Sequence, residues 1–364
     1  MPRRHLSLAA CSALLLIGLQ SGCGHGEHRL RHGAALGLSR YYNPLASSNP
    51  ASSDVIPVHD PSLARAADGT YVAFTTDLPF LHSRQLLAMR CSRDLLVWHS
   101  CGYVFPTMPE WARQEFPEAV GLWAPDISYF NGQYHLYYTV SSLGSQHSAI
   151  ALATSPTLDP AAPGFHWTDR GVILRSHTGD DFNAIDAAIL VDPGDPARIW
   201  LTYGSFWHGI FQQEVQASTG RLVANSTRYH LAEQPSDREG AIEGSAMVAH
   251  HGWYYLFASV GICCAMPIER DTYQQIVGRS RSPHGPFVAE DGSPLLRGGG
   301  TILLTSDEHW LAPGGGSLLL QGEDVWLAFH ALDRRNQGAL NLWVEHVEWR
   351  DDWPVLTPQA APMR

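Results

Sequence analysis

The chain has 364 residues, 45% of them hydrophobic and 16% charged, with 33 Gly, 24 Pro and 12 Trp, a composition that argues against disorder and suits many short strands joined by turns. Its formal charge is −11, all 24 basic residues are arginine, and no basic run occurs. Nucleic acid and acidic polymers are disfavoured as partners, and a neutral ligand fits best.

In chain order, Arg3 and Arg4 precede an apolar run from Leu6 to Leu19, too short for an ordinary membrane-spanning helix. Residues 1–22 are therefore expected to be a secretory signal. The stretch "LQSGC" is similar to a bacterial lipoprotein box, with Gln20 where leucine is usual. A lipid anchor on Cys23 and plain cleavage nearby both remain open. Residues 23–53 are rich in Gly, His, Arg, Ser and Asn and read as a tether, and residues 54–364 read as one domain. Export permits disulfides. Cys91 and Cys101 flank "SRDLLVWHS" and can pair across a hairpin, whereas the adjacent Cys263 and Cys264 form either a vicinal disulfide or two packed thiols. No second close pair or matching histidine spacing supports zinc.

From about residue 55 onward one plan recurs five times: a polar or acidic opening, a short apolar strand, a turn, then a strand rich in Tyr, Trp and Phe. The copies are "HDPSLARAADGTYVAFTT", "APDISYFNGQYHLYYTV", "AIDAAILVDPGDPARIWLTYGS", "AIEGSAMVAHHGWYYLFASV" and "APGGGSLLLQGEDVWLAFHAL". Each is followed by a further strand, such as "SAIALATS" or "QIVGRSRS". The apolar runs are short and mostly alternate, which excludes a helical repeat. A supersecondary unit recurring at this period points to an all-β, five-bladed β-propeller.

In a propeller the first strand of each blade lines the central channel. Taking Asp60, Asp126, Asp186, Glu243 and a glycine near residue 315 as equivalent openings, four acids are expected to ring the axis at one height. Each alone could merely cap a turn. Together, like charges raise one another's pKa and separate an acid from a base. Two carboxyls in different protonation states suit glycosidic-bond hydrolysis. Calcium binding by the acids is the rival reading, but no Gly-Asp-rich loop supports it.

The motifs "VHDPS", "WAPDISYFNGQYHLYYTVSSLGSQHSAIALATS", "NAIDAAIL", "YGSFWHGIF", "AIEGSAM", "GICCAM", "IVGRSRSPHGPF" and "GGGTILL" are weak singly and specific in their order. Over residues 55–357 they resemble glycoside hydrolase family 43, most closely its endo-α-1,5-L-arabinanases. The resemblance implies hydrolysis of internal arabinan bonds with inversion. Asp60 would be the general base, Glu243 the general acid, and Asp186 the residue that raises the pKa of Glu243 and orients it. Gly144, Asn183, Ser205, Phe206 and Trp207 match sugar-contacting positions. Trp123 is a candidate stacking platform or a core residue. His330 in "WLAFHALD" matches a histidine that holds an ion, usually calcium, largely through waters. "APGGGS" and "CCAMPIERDTYQQ" depart from some relatives, and Met266 and Arg270 are expected to shape the cleft wall. The expected partner is arabinan, with the chain acting as a monomer. An exo-acting arabinofuranosidase or xylosidase on the same fold, and a carbohydrate-binding propeller without catalysis, are the alternatives.

Overall fold

The computed structural model describes residues 36–37, 54–78, 85–238 and 240–356. The expected signal, Cys23 and most of the tether lie outside the described residues.

Five antiparallel sheets follow one another along the chain. Blade one runs Ser62–Arg65, Tyr71–Phe74, Leu86–Ser92 and His99–Phe105. A short helix, Glu110–Glu115, leads to blade two: Trp123–Phe130, Gln133–Val140, Ser148–Ser155 and Thr168–Ser176. Blade three comprises Ala188–Val191, Ile199–Tyr203, Ile210–Gln216 and Arg221–Leu222, with Tyr229–Ala232 also on Ile210–Gln216. Blade four comprises Ile242–His250, Trp253–Val260, Gln274–Ser280 and Thr301–Thr305, with Leu36–Gly37 parallel to the last of these. Blade five comprises Trp310–Gln321, Asp324–Asp333, Ala339–Arg350 and Trp353–Leu356. The first strand of each blade touches the first strand of the next, and the fifth returns to the first. The fold is the expected five-bladed propeller.

The alternation of each strand explains the ring. Leu136, Tyr138 and Val140 face blade one, while Tyr137 between them faces blade three. Ala149, Ala151 and Ala153 point to one neighbour and Ile150 and Leu152 to the other. A strand buried on both faces must be apolar at both parities, and a one-residue slip would exchange the two sets. Similar apolar clusters fill the remaining interfaces between adjacent blades. Each fully buried Leu or Phe there contributes about 1.5–3 kcal/mol. The chain closes the ring where Val58 N–H donates to the Leu340 carbonyl at 3.2 Å and Leu342 N–H to the Val55 carbonyl at 3.0 Å. That contact holds residues 55–60, and so Asp60, against blade five.

The register corrects one expectation. Trp123 pairs with Thr139 and Glu243 with Ser259, each just before a register shift. Gly314 pairs with His330 at the corresponding shift of blade five. The residues that follow, Ala124, Gly244 and Gly315, all have left-handed φ, as do Asp60 (43°) and Asp186 (58°). The equivalent openings are therefore Asp60, Ala124, Asp186, Gly244 and Gly315. Glu243 stands one residue before this ring and Asp126 two residues beyond it. Asp126 accordingly does the work of Ser62. The Ser62 hydroxyl accepts from Ile127 N–H of blade two at 3.1 Å, and the Asp126 carboxylate accepts from Ile189 N–H of blade three at 3.0 Å. Asp126 is a clasp between blades and not part of an acidic ring. Burial pushes its carboxyl up to about 7, against the pull of that N–H and of Ser128.

Candidate active site

Three of the four acids do meet at one end of the channel. Asp60 is brought there by its left-handed backbone and fixed by three partners. Its Oδ2 accepts from the Thr76 hydroxyl at 2.7 Å and lies 2.7 Å from Nδ1 of His59. Its backbone N–H donates to Nδ1 of His330 at 3.2 Å. Burial works against ionisation of Asp60, but the charge and hydrogen bond of His59, helped by the Thr76 hydroxyl, outweigh it and bring the carboxyl down to about 2. The His59 ring responds in kind. Its burial favours the neutral form, yet the Asp60 carboxylate beside it raises its pKa. Asp60 is thus an ionised carboxylate, 22% exposed at its side chain and able to reach water in the channel.

Asp186 and Glu243 are held in the opposite state. Gly244 N–H donates to Oδ2 of Asp186 at 2.9 Å, which fixes the two acids on neighbouring blades. The Ser205 hydroxyl donates to Oε2 of Glu243 at 2.6 Å. Burial raises the Asp186 carboxyl well above its usual range, and the charges of Glu243 and Asp60 add to that. Burial likewise raises Glu243, with Asp60 adding and the hydroxyls of Ser205 and Tyr273 and the charge of His59 opposing. The pair therefore keeps a proton where an exposed acid would have lost it. The arrangement offers one ionised carboxylate and one proton donor at a single channel mouth, the requirement for acid–base cleavage.

Tyr273 and His59 are functional neighbours that the motif reading passed over. Tyr273 is 2% exposed and hydrogen-bonds Glu243; burial, then the charges of Glu243, Asp186 and Asp60, raise its own pKa well above the ordinary value. Its ring fills the space left by glycines of blade five: a Cβ on Gly314 would overlap the Tyr273 ring. A Cβ on Gly315 would overlap Oδ1 of Asp60 and come within 2.8 Å of Cε1 of His330. The glycine run "GGG" is therefore the complement of these three side chains. His59 stands beside Asp60 in "VHDPS" and could have been flagged there, whereas nothing in "RDTYQQ" marks Tyr273.

The proposed sugar contacts are placed as follows. Ser205 is buried and serves Glu243 directly. Phe206 and Trp207 form a turn with left-handed φ of 50° and 44°. Phe206 N–H donates to the carbonyl of Ile242 at 3.0 Å, anchoring this turn beside Glu243. Trp207 is 39% exposed at the rim. Gly144 is exposed in a turn with φ 73°, and a Cβ there would meet open space. Asn183 is buried, and its amide is tied to Ser176 at 3.3 Å and the Ser145 carbonyl at 3.4 Å, so it joins the Gly144 loop to the segment carrying Asp186. Trp123 is half-buried, one residue before the left-handed Ala124 whose N–H donates to Thr76 at 2.8 Å.

His330 is buried at the base of the site, stacked on His59 with ring centroids 3.9 Å apart. Burial and the charge of His59 bring it down to about 3 against the pull of Asp60, so the ring is neutral. Around it the described residues offer Asp60, ring faces, the Cys263–Cys264 disulfide and glycine backbone. Calcium takes six to eight oxygens, so the described residues around His330 do not enclose one by themselves. The donors fit an ion held from one side by Nε2 of His330, with water completing its shell. Nδ1 now accepts from Asp60 N–H, so such an ion would move the ring proton to Nδ1 at the cost of that hydrogen bond and present it to Oδ1 of Asp60, 3.7 Å away. The second disulfide joins Cys91 to Cys101 across adjacent strands of blade one.

Comparison with known proteins settles the family. The family model for glycosyl hydrolases family 43 matches residues 49–354. The chain is a member of that family. An extracellular endo-alpha-(1->5)-L-arabinanase of Bacillus subtilis is 34% identical over 306 residues, covering 84% of this chain and 88% of the relative. An extracellular exo-alpha-(1->5)-L-arabinofuranosidase of Cellvibrio japonicus is 30% identical over 323 residues, covering 86% and 90%. The structure of a Cellvibrio cellulosa alpha-L-arabinanase complexed with arabinohexaose superposes with a TM-score of 0.76 at 29% identity, covering 84% of this chain and 96% of that one. As a family 43 member the chain is a glycoside hydrolase.

Proposed function

We propose that the protein is an exported arabinanase that cleaves internal α-1,5-L-arabinofuranosidic bonds with inversion. The observation that carries the chemistry is the split between Asp60, ionised at the channel mouth, and the proton-holding Asp186–Glu243 pair beside it. In this reading Glu243 gives its proton to the leaving oxygen while Asp60 takes one from the attacking water. Inversion needs room for that water, which sets the two carboxyls roughly 6.5–9.5 Å apart. Asp186 holds Glu243 in place through Gly244 N–H, and the two acids repel one another when both ionise, so the pair keeps one proton. Ser205 and Tyr273 orient the Glu243 carboxyl. Gly144, Asn183, Phe206, Trp207 and Trp123 would shape the sugar cleft.

Arabinan as the substrate is supported by the relatives, one of which is described in complex with arabinohexaose. Both relatives at 30% and 34% identity are extracellular, which supports export. The endo mode is favoured by the closer of the two, and exo action is the second reading, favoured by the other. Linear arabinan separates them. Endo cleavage collapses viscosity with few new reducing ends, whereas slow viscosity loss with monosaccharide release overturns the endo assignment. A hydrated calcium ion on Nε2 of His330 belongs to the same proposal; bound there it would supply positive charge beside Asp60. Elemental analysis of wild type and His330→Ala tests it, with about one calcium per chain in the first and none in the second.

A further inference from the structure

At the opposite end of the channel the first hairpins of blades four and five bring together His250, His251 and Glu323, each with one ligand atom within 4.8 Å of the others. His250 ends the strand that begins beside Glu243, so the cluster lies roughly 23 Å from the proposed acid at about 3.3 Å per residue. His251 follows it in the turn, with left-handed φ of 46°. Glu323 lies in the turn between Gln321 and Asp324. Nε2 of His250 is fully buried and has no hydrogen-bond partner among the described residues. The ring is held in place by stacking, 3.9 Å from Trp349 at an interplanar angle of 10° and 4.0 Å from His251 at 24°. Burial and the charge of His251 lower the pKa of His250, against the pull of Glu323 and Asp352, so its ring is a neutral donor.

We propose that His250, His251 and Glu323 form a binding site for a borderline divalent transition-metal ion, zinc above all, that ties blade four to blade five. Two imidazoles and one carboxylate are a zinc-type donor set, whereas calcium and magnesium take oxygen. Ligand atoms around tetrahedral zinc stand roughly 3.3–3.5 Å apart, so the present spacing closes with small movements of two turns. A water would complete the shell, with Asp352 a further carboxylate whose charge acts on His250; its Oδ2 accepts from the Trp253 indole N–H at 3.3 Å. The ion would brace the blade interface next to the one that closes the ring. It would leave hydrolysis untouched, because none of the three residues belongs to the active site.

The test is titration of zinc chloride into the full chain after chelator treatment and desalting, followed by calorimetry and thermal unfolding. Wild type is expected to bind one zinc that excess calcium does not displace, and to melt at higher temperature with it. His251→Ala and Glu323→Gln, both exposed turn positions, are expected to lose at least tenfold in affinity and the thermal shift, while keeping wild-type hydrolysis. Absence of saturable binding in wild type overturns the site. So does unchanged affinity in both variants, which would place the ion elsewhere, for instance at His59 and His330.

Discussion

Glu243 is half-buried beside another acid and carries no neighbouring cation of its own strand, so its charge state is the most informative property of the site. The folded chain holds a proton that the unfolded chain releases near 4.5, the ordinary value. Stability therefore falls as pH rises from there, until the folded pair itself ionises. Glu243→Gln should remove this loss. Its melting temperature relative to wild type should be higher at pH 7 than at pH 4, while arabinan hydrolysis drops by about 10²–10⁴-fold, the share of a general acid. Asp60 behaves in the opposite sense: its depressed value stabilises the fold above the ordinary 3.8, and that support is lost as pH falls toward about 2. The neighbours of Glu243 should shift the alkaline limb of kcat/KM in opposite directions. Asp186→Asn leaves Glu243 to titrate alone, without the mutual repulsion that the pair meets when both acids ionise, and moves the limb to lower pH; Tyr273→Phe removes a hydrogen bond that favours the ionised form and moves it to higher pH. Profiles of kcat/KM against pH that shift alike in both variants would contradict these roles.

Strands two and three of blade two were legible because burial on both faces writes an apolar residue at nearly every position, as in "HLYYTV" and "AIALA". The first strands were legible as strands but not in register. "HDPS" and "APDI" read as equivalent through their aspartates, yet their prolines are the equivalent residues, Pro61 and Pro125. The register shift that displaces Glu243 from the ring position leaves no composition signal. Asp126 illustrates the consequence, and a test follows. Asp126→Ala should leave Ile189 N–H without its acceptor and lower stability by about 1–3 kcal/mol in denaturant unfolding, with the pH–rate profile unchanged. A shifted profile would return Asp126 to the active site. Gly315 is the converse case. Gly315→Ala has no room beside Asp60 and His330 and an unfavourable φ of 60°, so activity should fall steeply, with a stability loss of about 1–3 kcal/mol. Sequence shows such a glycine but not what occupies its missing side chain, which here comes from blades one and five.

At the scale of the molecule, the propeller gathers residues 60, 186, 243 and 273 from three blades and their loops, far apart in sequence, onto one channel mouth. Blade order makes this possible: equivalent positions share a height, so one substitution in one repeat adds a group to the site without altering the interfaces that hold the ring. The same geometry leaves the far hairpins free to carry a separate metal site. The central claim is the division of labour between Glu243 and Asp60, and leaving-group dependence tests it most directly. The measurement is kcat/KM on debranched arabinan and on an arabino-oligosaccharide bearing a p-nitrophenyl group, for wild type, Glu243→Ala and Asp60→Asn. Nitrophenolate departs without protonation. Glu243→Ala should therefore be nearly inactive on arabinan yet keep most of its activity on the activated substrate, while Asp60→Asn fails on both. Equal loss on both substrates in Glu243→Ala would contradict the account.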